Sequence, residues 1–310
     1  MPWRAPATGV AFLCAACASA WVLYNQFGAI PLASVGVAVH TQPASKLILS
    51  LGLTALSFLC LSLYDVVGVR LVAARRVPTS TALLAGATGN ALSNTLGFHA
   101  VTGSVVRAHV YRRFGLTTGE VARIVSLAWL ALGLGFVTMF AAAELLRSTF
   151  EGPPNASLWV GVAICAGLSA FVIWLARGPR ELSVFGFKHP LPCARLAIAQ
   201  MCIGAVESGA AVGALYVLLP VDLAPPFGVF AVGSIAAVTL GLVAHAPGGI
   251  GVFEASVTAM LAGAGRADLL ASLVLYRAIY NLLPFTLSIG ALALLQFKRR
   301  NDISLTAGIF

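Results

Sequence analysis

The chain has 310 residues, 59% of them hydrophobic and only 9% charged, with a formal net charge of +9 and a mean hydropathy of +0.95. Soluble domains carry about a quarter charged residues, so a soluble enzyme is excluded. Several apolar runs reach the roughly 20 residues that a bilayer core requires, and a membrane β-barrel would show short alternating strands instead. The expected fold class is therefore an all-α, polytopic integral membrane helix bundle.

Taken in order, the first apolar run, Thr8–Tyr24, follows Arg4 and contains Ala18-Ser19-Ala20. This resembles a secretory signal with a small-residue cleavage site. A retained first helix leaving the cytoplasm is the better reading, because tilt and the Trp21 and Tyr24 interface anchors let the run span. Gln26–Ser45 is poor in cations and is placed outside. A second helix over Leu47–Val72 returns and ends at Arg75-Arg76.

Thr81–Val106 is apolar but dense in Gly and Asn, and it is interrupted by Asn90, Asn94, His99 and Thr102. Cations flank it on both sides, Arg75-Arg76 before and Arg107 to Arg113 after. The positive-inside rule then places both ends in the cytoplasm, which a single crossing cannot achieve. A re-entrant hairpin over residues 79–106, turning near Ser93–Gly97, can. Such non-helical backbone is tolerated at membrane depth where it is buried in protein or lines a hydrated cavity.

Helices over Glu120–Leu145, Leu158–Ala176 and Cys193–Leu218 follow, separated by an external loop at Arg147–Asn155 and a basic cytoplasmic loop from Arg177 to Pro192. After the Pro220–Pro226 turn the earlier pattern recurs with opposite sense. Phe227–Ala244 is apolar, His245-Ala-Pro-Gly-Gly-Ile-Gly breaks it, and Val252–Ala264 follows. The last helix, Leu269–Phe297, ends at Lys298-Arg299-Arg300. A second hairpin over residues 227–265 therefore dips from the external face. Two interrupted segments entering from opposite sides suggest an inverted repeat with a binding site near the midplane. The six cysteines read as small packing residues. The basic excess gathers at segment ends, so nucleic acid is not an expected partner.

Ionisable groups inside a membrane are costly unless paired or hydrated, and each is a functional hypothesis. Asp65 beside Tyr64, Glu207, Glu254 just past the Pro-Gly-Gly break, and Arg277 between Tyr276 and Tyr280 are such groups. Arg107, whose planar fork suits phosphate, closes the first hairpin. The plain alternative is that these acids and arginines pair as buried structural bridges. Taken as a set beside two broken helices, they read better as a polar path. In it Arg107 and Arg112 hold a phosphate, and Asp65, Glu207 and Glu254 receive a cationic group. Asn94, Thr102, Tyr111 and Tyr280 belong to the same seam. The histidines lack metal spacing and no nucleotide-binding loop appears. No metal or cofactor is expected, and transport would be passive or gradient-driven.

Several motifs carry a resemblance: Tyr64-Asp65, S-N-x-x-G-x-x-x-x-T-G-x-x-x-R-x-x-x-Y-x-x-x-G from Ser93 to Gly115, P-G-G-I-G-V-F-E-A from Pro247, and L-Y-R-A-I-Y-N-L-L-P from Leu275. Together they resemble the membrane flippase domain of the lysylphosphatidylglycerol synthase/flippase (MprF) family and its stand-alone relatives. The resemblance implies a single flippase-like domain over residues 1–310 that moves aminoacylated phosphatidylglycerol from inner to outer leaflet and confers resistance to cationic peptides. It carries Asp65, Arg107, Glu207 and Glu254 over as lipid-path residues. Bifunctional members continue into an aminoacyl transferase domain, whereas this chain stops at Phe310, so it is not expected to be an enzyme. The expected location is a bacterial inner membrane with both termini cytoplasmic. Expected partners are an anionic or aminoacylated phospholipid, a separate aminoacyl transferase and a second copy of the chain. The alternatives are translocation of a hopanoid or polyprenyl-linked lipid, a membrane-bound transferase with Glu254 or Asp65 as base, and a non-transporting scaffold.

Overall fold

The structure, a computed structural model, describes residues 31–97, 99–151, 155–178, 181–184, 187–243 and 247–294. The first span, His245 and the basic stretch at Lys298–Arg300 lie outside the described residues. Ten helices are described: α1 (Leu32–His40), α2 (Ala44–Ala73), α3 (Thr79–Leu96), α4 (His99–Tyr111), α5 (Thr118–Glu151), α6 (Ala156–Ala176), α7 (Ala194–Tyr216), α8 (Phe227–Val243), α9 (Val252–Met260) and α10 (Ala267–Tyr276). A π-helical segment, Arg277–Leu282, continues α10, and the apolar helix runs on to Leu294. Five of these helices (α2, α5, α6, α7 and α10 with its continuation) are long and apolar enough to cross a bilayer. The protein is an all-α polytopic membrane bundle.

Helix ends follow local chemistry. Pro31, Pro43 and Pro78 immediately precede α1, α2 and α3 in extended conformation. At the start of α5 the Glu120 backbone N–H donates to Thr117 Oγ1 at 3.3 Å and the Thr117 N–H donates to Glu120 Oε2 at 2.8 Å, a reciprocal capping box. Asn155 Oδ1 accepts the Leu158 N–H at 2.8 Å and caps α6.

Two helices overrun the ends that polarity suggests. The hairpin placed at residues 79–106 extends to Tyr111, because Arg107–Tyr111 contains no breaker before Gly115, which takes φ 72°. The loop expected from Arg147 begins later, because α5 continues to Glu151 and the first breakers are Gly152, Pro153 and Pro154. The loop expected between Arg177 and Pro192 contains a two-stranded antiparallel ribbon, β1 (Glu181–Val184) on β2 (Phe187–Pro190), with Glu181 opposite Pro190. The alternation Glu-Leu-Ser-Val is a strand pattern, though too short to compete with the apolar runs around it.

Lipid offers little hydrophobic driving force between helices, so close contact depends on small residues. Helices α5 and α7 cross at Gly135 and Gly204, where a Cβ on either would lie within 2.3 Å of the other's Cα. Gly228 brings α8 against the α5 backbone at Ala143–Arg147 in the same way. Helix α6 buries only Ser157, Gly161 and Leu175 and presents Trp159 and Ile173 outward, as expected of a lipid-facing helix.

Two of the four apolar clusters among the described residues each contain one broken hairpin. Val69, Ala82, Val110, Tyr111 and Ile124 join α2, α3, α4 and α5, while Leu215, Phe230, Val257, Leu269 and Leu273 join α7, α8, α9 and α10. Where the α7–α8 turn meets the start of α10, Arg266 binds Asp222 at 2.8 Å and Asp268 at 2.6 Å. The hydrogen bonds from Arg266 hold the Asp222 carboxyl below its ordinary value.

Candidate functional site

Both hairpins break on glycine. Gly97 turns the chain between α3 and α4 with φ 77°, and Gly248, Gly249 and Gly251 all take positive φ between α8 and α9, a region that L side chains resist. The two breaks meet. A Cβ on Gly248 would lie 2.9 Å from the Thr95 carbonyl oxygen and 3.2 Å from that of Asn94. Asn281 ties them together from the π segment: its Nδ2 donates to the Asn94 carbonyl at 3.3 Å, and its own carbonyl accepts from Thr95 Oγ1 at 3.2 Å.

Each hairpin is also accompanied by an arginine held on a carboxylate. In the first hairpin Arg107 Nε donates to Asp65 Oδ1 and Oδ2 at 2.8 and 3.0 Å, and Nη2 donates to Oδ2 at 2.7 Å. Tyr111 Oη donates to Asp65 Oδ1 at 2.8 Å. Asp65 and Tyr111 are fully buried and Arg107 is only 5% exposed. Gly89 and Gly103 make room for the guanidinium, since a Cβ on Gly103 would lie 2.7 Å from Nη1. That Nη1 makes no hydrogen bond to any described residue.

In the second hairpin Glu254 sits in the first turn of α9, where a carboxylate suits the helix dipole. Its Oε2 accepts the Gly251 N–H at 2.7 Å, and its Oε1 accepts from Arg277 Nε at 2.5 Å. Arg277 Nη1 donates to the Gly248 carbonyl at 2.7 Å, and its guanidinium carbon lies 5.5 Å from the centre of the Phe253 ring. Nη2 is left without a hydrogen bond among the described residues.

Between these two clamps lies a cavity of about 650 Å³. Tyr64, Asn90, Asn94, Arg107, Glu207, Arg277, Tyr280 and Asn281 supply its principal polar wall, and Leu132, Phe136, Val212, Val238 and Leu242 its apolar wall. Val101 of α4, Trp129 of α5, and Val238 and Leu242 of α8 are exposed apolar residues of its wall.

Glu207 behaves differently from the other two acids. Its Oε1 accepts from Ser57 Oγ at 3.1 Å and its Oε2 from Ser208 Oγ at 2.9 Å, and Ser57 Oγ shares a 2.9 Å hydrogen bond with Tyr280 Oη. No described Lys, Arg or His pairs with it. Three more polar atoms of cavity-lining residues, Tyr64 Oη, Ser234 Oγ and Asn281 Oδ1, are buried with no partner among the described residues. Buried polar atoms left unmatched cost about 1–3 kcal/mol each, so these three add to the polar cost of the cavity wall.

Of the eleven residues singled out from the sequence, Tyr64, Asn94, Arg107, Glu207, Arg277 and Tyr280 line the cavity. Asp65, Tyr111 and Glu254 stand behind it and hold the arginines. Thr102 Oγ1 donates to the Gly97 carbonyl at 3.0 Å and supports the first break. Arg112 is exposed and reaches towards Thr118 at 3.5 Å, away from the cavity lining. Sequence reasoning missed Ser57, Ser208, Trp129 and Asn281. Only Asn281, a polar residue flanked by apolar sequence, carried a readable signal.

No family model matches the chain. Comparison with curated proteins finds an uncharacterised protein, slr0712, of Synechocystis sp., 26% identical over 86% of this chain and 84% of that protein. It also finds the inner membrane protein YbhN of Escherichia coli, 28% identical over 82% of this chain and 81% of its own length. Phosphatidylglycerol lysyltransferase of Bacillus subtilis is 27% identical over 64% of this chain, a match that covers only 24% of that longer protein. The chain thus resembles membrane proteins. These similarities accord with a membrane family related to MprF.

Proposed function

We propose that this chain is a lipid translocator of a bacterial inner membrane, and that its cargo is an aminoacylated phosphatidylglycerol carried from the inner to the outer leaflet. It moves the lipid rather than making it, and a separate aminoacyl transferase supplies the cargo. The observation that carries this reading is the cavity at the meeting of the two breaks, which combines two arginines and one carboxylate that have, among the described residues, spare N–H groups and no cation respectively.

The chemistry suits a headgroup with both charges. Arg107 and Arg277 are each balanced by a carboxylate, so their spare N–H groups can hold a phosphate through charge-assisted hydrogen bonds without a net charge that would trap it. Glu207 faces the same space and can accept an amine. In this reading the cavity communicates with lipid past Trp129 and Val238, so that acyl chains remain in lipid while the headgroup passes. The partial match to a phosphatidylglycerol lysyltransferase supports this class of cargo, and the match to an inner membrane protein supports the location. In this reading the two hairpins dip from opposite faces, with the chain termini cytoplasmic.

The test is leaflet exchange of lysyl-phosphatidylglycerol in proteoliposomes, scored with an impermeant amine reagent. Arg107→Lys and Arg277→Lys keep the charge but lose the planar fork. Each is expected to slow exchange by about tenfold or more, since a hydrogen bond to a charged group contributes about 1.5–3 kcal/mol. Wild-type exchange no faster than in protein-free vesicles overturns the reading, and chemical turnover of the lipid would point to a transferase. Topology is checked separately: single cysteines at Arg75 and Arg113 are expected to label from one face, and cysteines at Asp222 and Arg266 from the other.

A further inference from the structure

The cavity holds one group whose charge nothing among the described residues balances. Glu207 is 5% exposed, in the middle of α7, and receives only hydroxyl hydrogen bonds, from Ser57 and Ser208. An isolated carboxylate at membrane depth is strongly disfavoured, and the two neighbouring acids, Asp65 and Glu254, already have arginines. The groups around Glu207 cannot take that role. From α2, Cys60 and Tyr64 are within its electrostatic reach, and so are Tyr276 of α10 and Tyr280 of the π segment; none is a cation. Helix α5 offers Trp129, Leu132, Gly133 and Phe136 to the cavity, and α8 offers Ser234 as its polar residue. The arginines that share the cavity are committed to other carboxylates.

We propose that Glu207 is a proton-exchange site that couples lipid passage to proton movement, and this rests on the translocator reading above. With the cavity free of an amine, the carboxyl carries a proton. When an ammonium headgroup arrives, the O–H bond breaks, the proton leaves to water, and the carboxylate pairs with the ammonium. When the headgroup departs to the other leaflet, the carboxyl takes up a proton again. One positive charge replaces another at each step, and no oxidant or reductant is involved. Ser57 suits both states, because its hydroxyl can donate to the carboxylate or turn towards Tyr280 Oη, 2.9 Å away. The ligand class is therefore a lipid with a cationic amine, and neutral or purely anionic lipids would not discharge the proton.

The experiment uses the full chain in proteoliposomes containing lysyl-phosphatidylglycerol, with the membrane potential clamped and a pH step of one unit imposed. One proton per lipid predicts a change of about tenfold in the steady leaflet ratio, because one pH unit corresponds to a factor of ten in proton activity. An internal pH dye is expected to report proton flux only when the amine lipid is present, and not with phosphatidylglycerol. Glu207→Gln keeps the size of the side chain but cannot ionise, and is expected to lose the response to the pH step, while Glu207→Asp retains it. A wild-type leaflet ratio indifferent to the step overturns the inference while leaving the translocator reading intact. Absence of any exchange overturns the translocator reading itself, and the inference with it. Because the wild-type arm alone decides, the proposal stays testable even where a variant fails to fold.

Discussion

Replacing Asp65 with alanine is expected to destabilise the protein by about 3–5 kcal/mol, and replacing Asp65 and Arg107 together to cost less than the sum of the two single changes. The single change strands a guanidinium that is 5% exposed and has lost all three of its hydrogen bonds to protein. Removing one partner of a buried pair leaves an uncompensated charge, which is the expensive outcome. Removing both leaves a cavity but no bare ion. Tyr111→Phe is expected to cost about 1 kcal/mol, because it deletes one hydrogen bond and leaves the carboxylate on its arginine. Thermal unfolding in detergent micelles, arranged as a double-mutant cycle, reads the coupling directly. Additive costs would mean that the pair does not act as one unit, and the account of how Arg107 is aimed would fail. The consequence for transport follows from geometry. Asp65 occupies Nε and Nη2, so the pair determines which edge of the fork remains for a ligand.

The spans and both breaks were legible in the sequence because they are one-dimensional signals. Apolar length marks α2, α5, α6, α7 and α10, while Gly97 and the Pro247-Gly-Gly-Ile-Gly run mark the interruptions. The acids were also legible as a set, since an ionisable residue within an apolar run stands out. Their division of labour was not. Asp65 finds Arg107 across 42 positions and Glu254 finds Arg277 across 23, distances over which no periodicity reports a contact. The expectation that Asp65, Glu207 and Glu254 receive a cation alike thus conceals a difference: two of them orient arginines and one is left for the cavity. Ser57 and Ser208 illustrate a second limit. Most serines in such helices bond back to their own helix, as Ser62 does to the Phe58 carbonyl at 2.7 Å. Nothing in the letters separates a serine that does so from one that reaches a carboxylate. Helix overruns at Tyr111 and Glu151 have a simpler origin, since charge alone does not end a helix and the next glycine or proline does.

Gly204→Val is expected to be the most disruptive small-to-large change in the bundle and to abolish exchange along with stability. A Cβ there would meet the Cα of Gly135 at 2.2 Å and Tyr64 Oη at 2.6 Å. The first of these neighbours is backbone, which cannot swing aside, so α5 and α7 must separate. Overpacking costs about 1–3 kcal/mol where side chains can adjust, and more is expected here. Glu207 lies one turn further along α7, on nearly the same face, and Tyr64 is the residue struck, so the separation would open the cavity wall and shift both groups. Gly209→Ala on the same helix provides the comparison. Its Cβ would meet Met139 Sδ at 3.5 Å, an ordinary contact with a flexible side chain. That change is expected to be neutral or stabilising by up to about 1 kcal/mol through the unfolded chain. Thermal stability and lipid exchange measured on both variants decide the matter. A Gly204→Val protein as stable and active as the wild type would mean that α5 and α7 do not cross at Gly135, and that the cavity is not held in shape by that crossing.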